Sequence, residues 1–342
     1  MMPKRVLIAH TDVAPDGDPS MADVLDEVCC VEKGLDELSV PFKTVPVAAG
    51  RAWEALAPED DDIVFNLLEA PPGRPLLQIA AAGVLELLGV PYTGSRLASL
   101  VLTTDKLSTR ALLASEGIAV APGGRFDPED PRLLDRVSPP WILKAGFEDA
   151  SVGLDGEPVV RTREAAVARG RQLVERFPGQ PIVLEHYLPG REFNVGVVEV
   201  DGAPVILPVA EMTFIDYPDD MPRIVGWEAK WIEGHFSYDQ TERAFTDEER
   251  EPELVAAIGE ITRRSWAITG ASGYARVDFR LDEAGVPCVL EVNANPCISE
   301  GSGLMVAAVR AGFSVGSVIA SVLQAAQRAH QASDQRLAVP SN

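Results

Sequence analysis

Two stretches near the C-terminus, ARVDF at 275–279 and LEVNANP at 290–296, decide how the fold is interpreted. Each alternates apolar with polar residues, which is the pattern of a β-strand with one buried face. In the first stretch Arg276 and Asp278 fall on the same face. The segment Asp282–Gly285 between the two stretches has the composition of a turn. We therefore predict an antiparallel hairpin that carries its charged residues on one face.

The pairing of this hairpin brings two acids together. We predict a register that pairs Leu281 with Cys288. In that register Asp278 lies directly opposite Glu291, with the amide of Asn293 on the same face. Two carboxylates across a ladder repel one another, and a cation between them removes the repulsion. Such oxygen ligands suit Mg²⁺, which proteins hold with one or two carboxylates together with substrate phosphates. The alternative is an ordinary solvated face, which antiparallel sheets often have.

The segment after the hairpin, NPCISEGSGL at 295–304, favours the metal site over the solvated face. It is rich in small residues, so its backbone N–H groups can bind an anion, and Ser302 can add a hydroxyl donor. Its glycines at 301 and 303 are no dinucleotide fingerprint, because the order strand, GxGxxG, helix is missing. The chain also lacks the GxxxxGKS/T phosphate loop.

Composition and charge exclude several classes of protein. The chain has 342 residues, the length of two or three domains, and 46% of them are apolar. No stretch approaches the roughly 18 uninterrupted apolar residues of a membrane span. The four cysteines form no CxxC pair or disulfide framework, which fits a reducing compartment. Because the chain also has no apolar stretch of membrane-spanning length, we expect a cytoplasmic protein that does not bind a membrane. The net charge of −22 argues against nucleic acid as a partner, because a phosphate backbone requires clustered lysine and arginine.

Residues 1–95 predict an α/β domain. Strand and helix patterns alternate over four segments, in the order 4–9, 21–38, 62–68 and 76–88. Such alternation is typical of a parallel, Rossmann-like unit. The last helix is expected to end at Gly89.

Residues 96–188 predict a smaller α+β unit. The predicted elements are helices at 105–115 and 164–177 and strands at 140–145, 158–163 and 181–187. The strand 140–145 leads into the glycine-bearing loop 146–153. The backbone N–H groups of such a loop can close over phosphates.

Residues 189–330 predict a strand-rich third domain. Its predicted elements are strands at 195–200, 204–209, 274–281 and 286–293 and helices at 252–269 and 304–327. The segment from about 211 to 245 is polar and poorly periodic, as functional or disordered loops are. We predict a disordered tail at 331–342. The fold class is therefore α/β and α+β, in three domains around one cleft.

Three lysines are candidates for phosphate binding. Lys106 stands at the start of a helix, Lys144 near the end of a strand and Lys230 in the long loop. A lysine is more often a solvated surface residue, but Lys144 lies between an apolar strand and a glycine-bearing loop. Hydrolase chemistry is disfavoured, because none of the four histidines lies in a GxSxG or HExxH context.

Together these segments resemble the ATP-grasp superfamily and, within it, the D-alanine–D-alanine ligase family. Besides the hairpin, the resemblance is carried by VPYTGS at 90–95 followed by Asp105–Lys106, KAGFEDASVG at 144–153 and LEHYLPGREFNVGV at 184–197. It extends from about residue 4 to about residue 325. It implies a three-domain ATP-grasp fold with an N-terminal Rossmann-like domain, and ADP-forming ligation of a carboxylate to an amine.

The resemblance also implies nucleotide-binding roles. Lys106 and Lys144 would hold the phosphates of ATP, and Glu192 would hold the ribose. Lys230 would descend with the long loop onto the phosphates. The adenine-binding hinge would consist of Glu185, His186, Tyr187 and Leu188.

The hairpin and the segment after it receive the metal and catalytic roles. By the resemblance, Asp278, Glu291 and Asn293 would bind two Mg²⁺ ions, for which Mn²⁺ can substitute. Arg276 and a backbone N–H near Cys297 would stabilise the oxyanion of a tetrahedral intermediate, and Ser302 would hold a substrate carboxylate. These roles suit phosphoryl transfer, which depends mostly on positioning and charge neutralisation. Oxyanion donors matter when an amine attacks an acyl phosphate.

The substrate pocket departs from the family pattern. A serine of the phosphate loop is replaced by Ala150, with Ser151 beside it as the catalytic candidate, and a lid tyrosine is replaced by Trp231. Glu69 lies where the family usually has a His-Gly pair, and Asp23 is the nearest acid to the family's N-terminal glutamate. Because pocket polarity sets specificity, we expect a first substrate other than D-alanine. The candidate pocket residues are Glu69, Ala150, Trp231, Cys297 and Ser302.

The predicted function is ATP-dependent ligation of amino acids or similar small acids through an acyl phosphate. One alternative is a true D-alanine–D-alanine ligase with a divergent pocket. A second is a non-catalytic ATP-binding regulatory protein, which need not keep an oxyanion arginine. A third is an ATP-grasp phosphotransferase, for which no catalytic histidine or hydroxyl acceptor is evident. By analogy with the family, a homodimer is also expected.

Overall fold

Three β-sheets organise the chain, and each draws its strands from a different stretch of sequence. The computed structural model describes residues 2–13, 19–48, 56, 62–70 and 73–337. Within that part, the sheets have three, four and six strands in chain order. Each sheet lies inside one of the three predicted domain ranges, whose boundaries near 95 and 188 stay a prediction.

The first sheet is parallel. Its strands, in the order β2–β1–β3, are β1 (Arg5–Thr11), β2 (Phe42–Val47) and β3 (Asp62–Leu67). Helix α1 (Pro19–Glu37) connects β1 to β2, as a parallel pair requires a crossover. Helix α2 (Leu76–Leu88) ends at Gly89, whose φ of 64° is a left-handed conformation that glycine adopts without steric penalty. The predicted α/β class of this region is confirmed, but the strand β2 was not predicted.

Two helices, α3 (Leu97–Thr104) and α4 (Lys106–Ser115), lead into the second sheet. This antiparallel sheet has the order β4–β7–β5–β6, with β4 (Gly123–Phe126), β5 (Trp141–Ala145), β6 (Val159–Val160) and β7 (Ile182–His186). The return strand predicted at 158–163 is shortened to two residues. Helix α5 (Arg163–Arg176) begins there, because the Thr162 side chain accepts the Ala165 N–H as an N-cap.

The third sheet is antiparallel and has the order β11–β10–β8–β12–β13, with β9 also paired to β8. Its strands are β8 (Glu192–Val200), β9 (Ala203–Ile206), β10 (Ala210–Phe214), β11 (Thr241–Phe245), β12 (Tyr274–Leu281) and β13 (Pro287–Asn293). Two short helices, α6 (Trp227–Trp231) and α7 (Phe236–Asp239), and one long helix, α8 (Pro252–Thr269), belong to the same stretch. Helix α8 covers one face, with Ile258 in the same buried core as Phe193 and Val277.

The prediction of a long loop at 211–245 is wrong, because more than half of that segment is helix or strand. It contains β10 and β11, which pair with each other, and the helices α6 and α7 between them. Each of these elements has five residues or fewer. β11 is also the edge strand of its sheet and is mostly exposed. Short elements with so little burial leave no apolar period in the sequence.

The C-terminal helix predicted at 304–327 is two helices, α9 (Gly303–Arg310) and α10 (Val315–Leu337). Gly312, with φ 91°, lies at the break, and the two helix axes differ by 110°. Because α10 reaches Leu337, the predicted tail is wrong for 331–337, whereas 338–342 lie outside the described residues. In the described part of the chain no single helix is long and apolar enough to span a membrane; α9 and α10 pass that test only as a bent pair.

The N- and C-terminal regions share one hydrophobic core. Ile8 of β1, Leu35 of α1 and Ile319 of α10 are all fully buried in it. Helices α1 and α10 approach closely at Gly34, where a Cβ would lie 2.5 Å from Ile319 Cγ1. Such a close approach tolerates only glycine without displacement of the neighbouring helix. The first and third sheets are therefore held together on one side of the cleft.

Candidate active site

The hairpin of β12 and β13 places the polar residues as predicted. Asp278 pairs with Glu291, and Arg276 pairs with Asn293. On its other edge β12 pairs with β8, which sets Asn194 beside Asp278. The β8–β12–β13 end of the third sheet therefore carries two facing carboxylates with amide side chains on both sides.

Beyond this point the predicted register is wrong. Leu281 pairs with Pro287 rather than with Cys288, because the register shifts after Asp278. Leu290 is the residue left over, as in a β-bulge. As a result Leu290 lines the same cleft as its neighbour Glu291, although strict alternation placed them on opposite faces. The bulge adds an apolar surface to an otherwise polar site.

Asp278 is buried and fully hydrogen-bonded. Arg276 donates to both its oxygens, each at 2.8 Å, in the bidentate geometry that guanidinium and carboxylate favour. Asn194 and Asn293 donate to it through Nδ2 at 2.7 and 3.1 Å. Burial raises the pKa of Asp278, and the Arg276 guanidinium opposes that rise. Arg276 uses Nε and Nη2 in this pair, and its Nη1 forms no hydrogen bond to a described residue.

Glu291 is the more acidic of the pair. Burial alone would raise its pKa, but Lys106, Arg276 and Lys144 together lower the pKa of Glu291 to about 2. Asn293 Nδ2 lies 3.3 Å from Glu291 Oε1 and also contacts Asp278, so the three side chains converge. Two carboxylates and an amide oxygen are a donor set that fits Mg²⁺. A bound ion would use the amide oxygen of Asn293 in place of its N–H.

Lys106 connects this site to the glycine-bearing loop 146–153. Its Nζ donates to Glu148 O at 2.5 Å and to Asp149 Oδ1 at 2.9 Å, and it lies 3.5 Å from Glu291 Oε2. Burial opposes its charge, but Asp149 and Glu291 raise the pKa of Lys106 above the usual range. The lysine therefore stays protonated. Asp105, the N-cap of α4, positions it at the first turn of that helix.

Lys144 and the adenine-hinge candidate Glu185 form an ion pair across neighbouring strands. Lys144 Nζ lies 2.9 Å from Glu185 Oε2, and Arg110 Nε lies 3.2 Å from Glu185 Oε1. Arg110 also donates to Gly123 O at 2.9 Å. Sequence reasoning missed Arg110, because only the packing of α4 against the second sheet brings it to Glu185.

An apolar slot lies beside this ion pair. Leu188 is buried against Ala121 and Cys288, and the bulge residue Leu290 packs on the same cluster. Leu188, Ala121, Leu290 and Ile142 all line the cleft. The other hinge candidates are fixed by their backbones, since His186 and Tyr187 N–H groups donate to Pro122 O and Pro140 O. Such a slot suits a flat aromatic ring.

Glu192 is held by a residue that the sequence did not single out as functional. Arg280 Nη1 lies 3.5 Å from Glu192 Oε2, and both side chains are buried. Arg280 also donates to Tyr187 Oη at 3.3 Å. Burial raises the pKa of Glu192, and Arg280 opposes the rise. The alternation of Arg276, Asp278 and Arg280 along β12 was the available signal for this role.

The segment from Val225 to Trp231 is attached to the glycine-bearing loop 146–153. Trp231 Nε1 donates to Ala150 O at 3.0 Å, and Ser151 Oγ donates to Val225 O at 2.8 Å. The Ser151 hydroxyl proton is therefore used to hold this segment. Lys230 Nζ lies 4.7 Å from the centre of the Trp231 ring, as in a cation–π contact. Burial and repulsion by Arg276 lower the pKa of Lys230.

A small cavity of about 130 Å³ adjoins the main cleft of about 730 Å³. Glu69, Asp23 and Trp231 line it, together with Arg276 and Asn293. Burial, followed by repulsion from Asp23, raises the pKa of Glu69 to about 7, against the influence of Lys230. The cavity is therefore acidic, and its charge changes near neutral pH.

Cys297 and Ser302 lie on the segment that follows the hairpin, and both line the cleft. Cys297 Sγ lies 3.1 Å from Ser299 Oγ, and burial raises the pKa of this thiol well above its usual range. Ser302 is the N-cap of α9, and its oxygen accepts the Met305 N–H at 3.2 Å. The Ser302 hydroxyl can still donate its proton.

Every residue predicted for the site lines the main cleft or the adjoining cavity. They come from the second and third sheets, from helices α4 and α6, and from the segments after β3, β5, β7 and β13. In the main cleft are Lys106, Lys144, Ala150, Ser151, Glu185, His186, Tyr187, Leu188, Glu192, Lys230, Trp231, Arg276, Asp278, Glu291, Cys297 and Ser302, and in the cavity are Glu69 and Asn293. The arrangement can neutralise phosphates, hold a metal ion and bind an oxyanion.

The chain is similar in sequence and in fold to proteins of one known family. The family model described as D-ala D-ala ligase C-terminus matches residues 125–324. The D-alanine–D-alanine ligase of Gluconobacter oxydans is 32% identical, over 83% of this chain and 86% of that protein. The ligase of the same name from Citrifermentans bemidjiense is also 32% identical, over 83% and 86%. The crystal structure of D-alanine–D-alanine ligase from Bacillus anthracis complexed with ATP shares the fold, with TM-score 0.75 and 19% identity over 97% of this chain and 100% of that one.

Proposed function

Because the chain belongs to the D-alanine–D-alanine ligase family of ADP-forming ATP-grasp ligases, we propose that it joins a small amino-acid-like carboxylate to an amine through an acyl phosphate. The observation that carries this proposal is the pairing of Asp278, held by Arg276, with Glu291, whose Oε2 lies 3.5 Å from Lys106 Nζ. The predicted family and ATP-grasp fold are confirmed by the comparisons. The substrates and the individual roles of the site residues are part of the proposal.

The nucleotide fits the half of the cleft between the second and third sheets. We place adenine in the apolar slot of Leu188 and Leu290, the ribose at Glu192, and the phosphates at Lys106 and Lys144. Asp278, Glu291 and Asn293 are the proposed Mg²⁺ ligands. Bound Mg²⁺ supplies neutralisation of phosphate charge. The apolar lining of the slot and the convergence of the three oxygen-bearing side chains support this placement.

In the first step, a carboxylate oxygen of the acid attacks the γ-phosphorus of ATP. The bond from that phosphorus to the bridging oxygen breaks, and ADP leaves. Lys106, Lys144 and Lys230 are cations at the cleft that offset the charge of the transferred phosphoryl group. The closed segment Val225–Trp231 excludes water from the acyl phosphate, which hydrolysis would otherwise consume.

In the second step, the amine attacks the carbonyl carbon of the acyl phosphate, loses a proton, and phosphate leaves as the amide forms. The carbonyl oxygen becomes an oxyanion at the tetrahedral stage. We propose that Arg276 donates a hydrogen bond to this oxyanion through Nη1, because its Nε and Nη2 edge is held by Asp278. A backbone N–H near Cys297 is the second donor.

Hydroxylamine trapping tests this proposal. Candidate acids are incubated with ATP, Mg²⁺ and hydroxylamine, and hydroxamate and ADP are measured. We expect both in equal amounts for the correct acid. Release of AMP and pyrophosphate, or no nucleotide turnover with any acid in a broad amino-acid panel, would contradict the acyl-phosphate mechanism.

A second candidate is a true D-alanine–D-alanine ligase, which the names of the two relatives favour. The Ala150, Trp231 and Glu69 positions of the pocket argue for a different acid. ADP release with D-alanine as the sole amino acid separates these two candidates. A cytoplasmic location and a homodimer stay predictions.

A further inference from the structure

Glu27 is a buried acid to which the proposed reaction assigns no role. It lies on α1 and is 3% exposed. Its neighbours on the helix, Val24, Val28 and Val31, belong to the core shared by the N- and C-terminal regions. A carboxyl group buried among apolar side chains destabilises a fold unless it is hydrogen-bonded. The position of Glu27 therefore depends on its partner.

The partner of Glu27 is a backbone group of the segment between the hairpin and α9. Glu27 Oε1 accepts the Ile298 N–H at 2.7 Å, and the Ile298 side chain is fully buried. Burial raises the pKa of Glu27, and the Glu69 carboxylate adds to the rise. A protonated carboxyl group still accepts a hydrogen bond through its carbonyl oxygen. The contact therefore holds the segment to α1 in either charge state.

The segment 294–302 depends on such contacts, because it belongs to no helix or strand. Asn295 fixes its beginning, since Asn295 Oδ1 accepts the Ser95 N–H at 2.8 Å. The Ser302 N–H donates to Ser299 O at 2.9 Å where α9 begins. Between Asn295 and Ser299, the backbone is hydrogen-bonded to another element of the described chain only by Glu27.

Three consecutive N–H groups of this segment differ in their partners. The Ile298 N–H donates to Glu27, and the Ser299 N lies 3.5 Å from Cys297 Sγ. The Cys297 N–H forms no hydrogen bond to a described residue. Cys297 lines both the main cleft and the adjoining cavity, as Arg276 does. One N–H of the three is therefore left for a ligand, in the same cleft as the free Nη1 of Arg276.

We infer that Glu27 is a positioning residue for the second step: by holding Ile298, it fixes the neighbouring Cys297 N–H as an oxyanion donor. The inference rests on the proposed ligase function. A donor stabilises an oxyanion best when it is held in place before the charge develops. An irregular segment has no ladder to hold its backbone, so a side chain of the packed helix α1 supplies the fixed point. Glu27 itself lines neither cavity and acts through the backbone at Cys297.

The test follows one turnover of ATP and resolves the two chemical steps. Enzyme in excess is mixed with ATP, Mg²⁺, hydroxylamine and the acid that gives most hydroxamate with the wild type, and ADP and hydroxamate are measured in acid-quenched samples. Glu27→Leu removes the acceptor of the Ile298 N–H. Hydroxamate formation should slow by about 10- to 100-fold, a part of the loss expected for a missing oxyanion donor. ADP formation in the same samples should keep its wild-type rate, because no carbonyl oxyanion forms in the first step.

Two further variants distinguish positioning from a loss of folding. Glu27→Gln keeps an acceptor oxygen at the same reach and should restore hydroxamate formation to within a few-fold of the wild type. Glu27→Asp is one methylene shorter and should show a smaller delay of hydroxamate behind ADP than Glu27→Leu. Because an unsatisfied buried N–H destabilises the fold, thermal unfolding is measured for each variant. Glu27→Asp carries the comparison if Glu27→Leu is not folded.

Glu37→Leu is the matched control. Glu37 lies on the same helix, and its Oε2 accepts the Gly316 N–H of α10 at 2.8 Å, away from the cleft. Glu37→Leu therefore loses the same kind of bond from α1 to a backbone N–H without a change near Cys297. It should match the wild type in both ADP and hydroxamate formation.

The outcomes separate this inference from the proposed function. An equal loss of ADP and hydroxamate formation in Glu27→Leu overturns the inference alone, since damage to the whole site predicts that result. Hydroxamate formation at the wild-type rate in the folded variant also overturns it. So does a failure of Glu27→Gln to restore that rate, or the same delay in Glu37→Leu. A wild-type enzyme that forms no hydroxamate with any acid overturns both the inference and the proposed function.

Discussion

The proposed nucleotide side and the proposed substrate side of the cleft differ in how their charges are satisfied. On the nucleotide side, Lys106, Lys144 and Arg276 each form an ion pair with a carboxylate of the same site. On the substrate side, Glu69 has no such partner among the described residues. The first set is preorganised before any ligand arrives, as catalysis by electrostatic stabilisation requires. The substrate side leaves a charge that a zwitterionic substrate can satisfy, so it is where specificity is expected to lie.

The largest effect is expected on the preorganised side. Asp278→Asn and Glu291→Gln should each lower kcat by about 100-fold or more, because each removes a proposed metal ligand and a charge that orients Arg276 or Lys106. Steady-state ADP release measures the effect, and Glu248→Gln at an exposed position serves as the control. If both variants stay active while folded, the assignment of the metal site is wrong.

A substitution of Glu69, on the substrate side, should change the free energy of unfolding as well as the reaction rate. The pKa of Glu69 is raised to about 7 from 4.5, so the folded protein binds a proton there that the unfolded chain has released. Folding is therefore disfavoured by ionised Glu69 as pH rises from about 4.5 through 7, and it is unaffected below that range. Glu69→Gln should raise the free energy of unfolding at pH 8 by about 1–3 kcal/mol and leave it nearly unchanged at pH 4.

Denaturant unfolding at the two pH values checks this sign. Glu157→Gln, at an exposed loop position, is the matched control and should show no such difference. Greater stabilisation at pH 4 than at pH 8 would contradict the burial of Glu69 beside Asp23. It would also remove the contrast between the paired and the unpaired half of the cleft.

The segment Val225–Trp231 is held to the glycine-bearing loop 146–153 by the indole N–H of Trp231. Trp231→Phe keeps an aromatic ring beside Lys230 but removes the donor to Ala150 O. Losing one hydrogen bond of about 0.5–1.5 kcal/mol should lower ligation about 2- to 10-fold and increase ATP hydrolysis without amide formation. The ratio of phosphate to amide measures this leakage. Trp227→Phe is the control, since the Trp227 indole forms no hydrogen bond to a described residue, and an equal leak there would refute the role of the Trp231 donor.

The smallest effect is expected from the N-cap that positions Lys106. Asp105→Ala should lower the free energy of unfolding by about 1 kcal/mol and raise KM for ATP several-fold, because Lys106 is the first residue of α4. Thr162→Ala removes the N-cap of α5, and it should show the same loss of stability with no change in KM. Identical effects on KM in both variants would mean that the Asp105 cap acts only through global stability.

Much of the fold and of the nucleotide side followed from local sequence patterns. Asp278 opposite Glu291 was predicted correctly, because the alternation of apolar and polar residues sets which face each side chain occupies. The end of α2 at Gly89 and the extent of α8 were likewise evident from the spacing of apolar residues and from glycine. The pairing Leu281–Cys288 was wrong, because a bulge depends on the packing of both strands and leaves no signal in either one alone.

The sequence by itself determined the family, most of the longer helices and strands, and the side chains that meet within one hairpin or beside one glycine-bearing loop. Only the tertiary structure decided which charges are paired across elements, such as Arg110 with Glu185 and Arg280 with Glu192. The reason is physical. A periodic pattern reports the neighbours of a residue within one strand or helix, whereas an ion pair between distant elements depends on how those elements pack. The substrate side of this cleft is built from such distant elements, so its specificity follows from the packing.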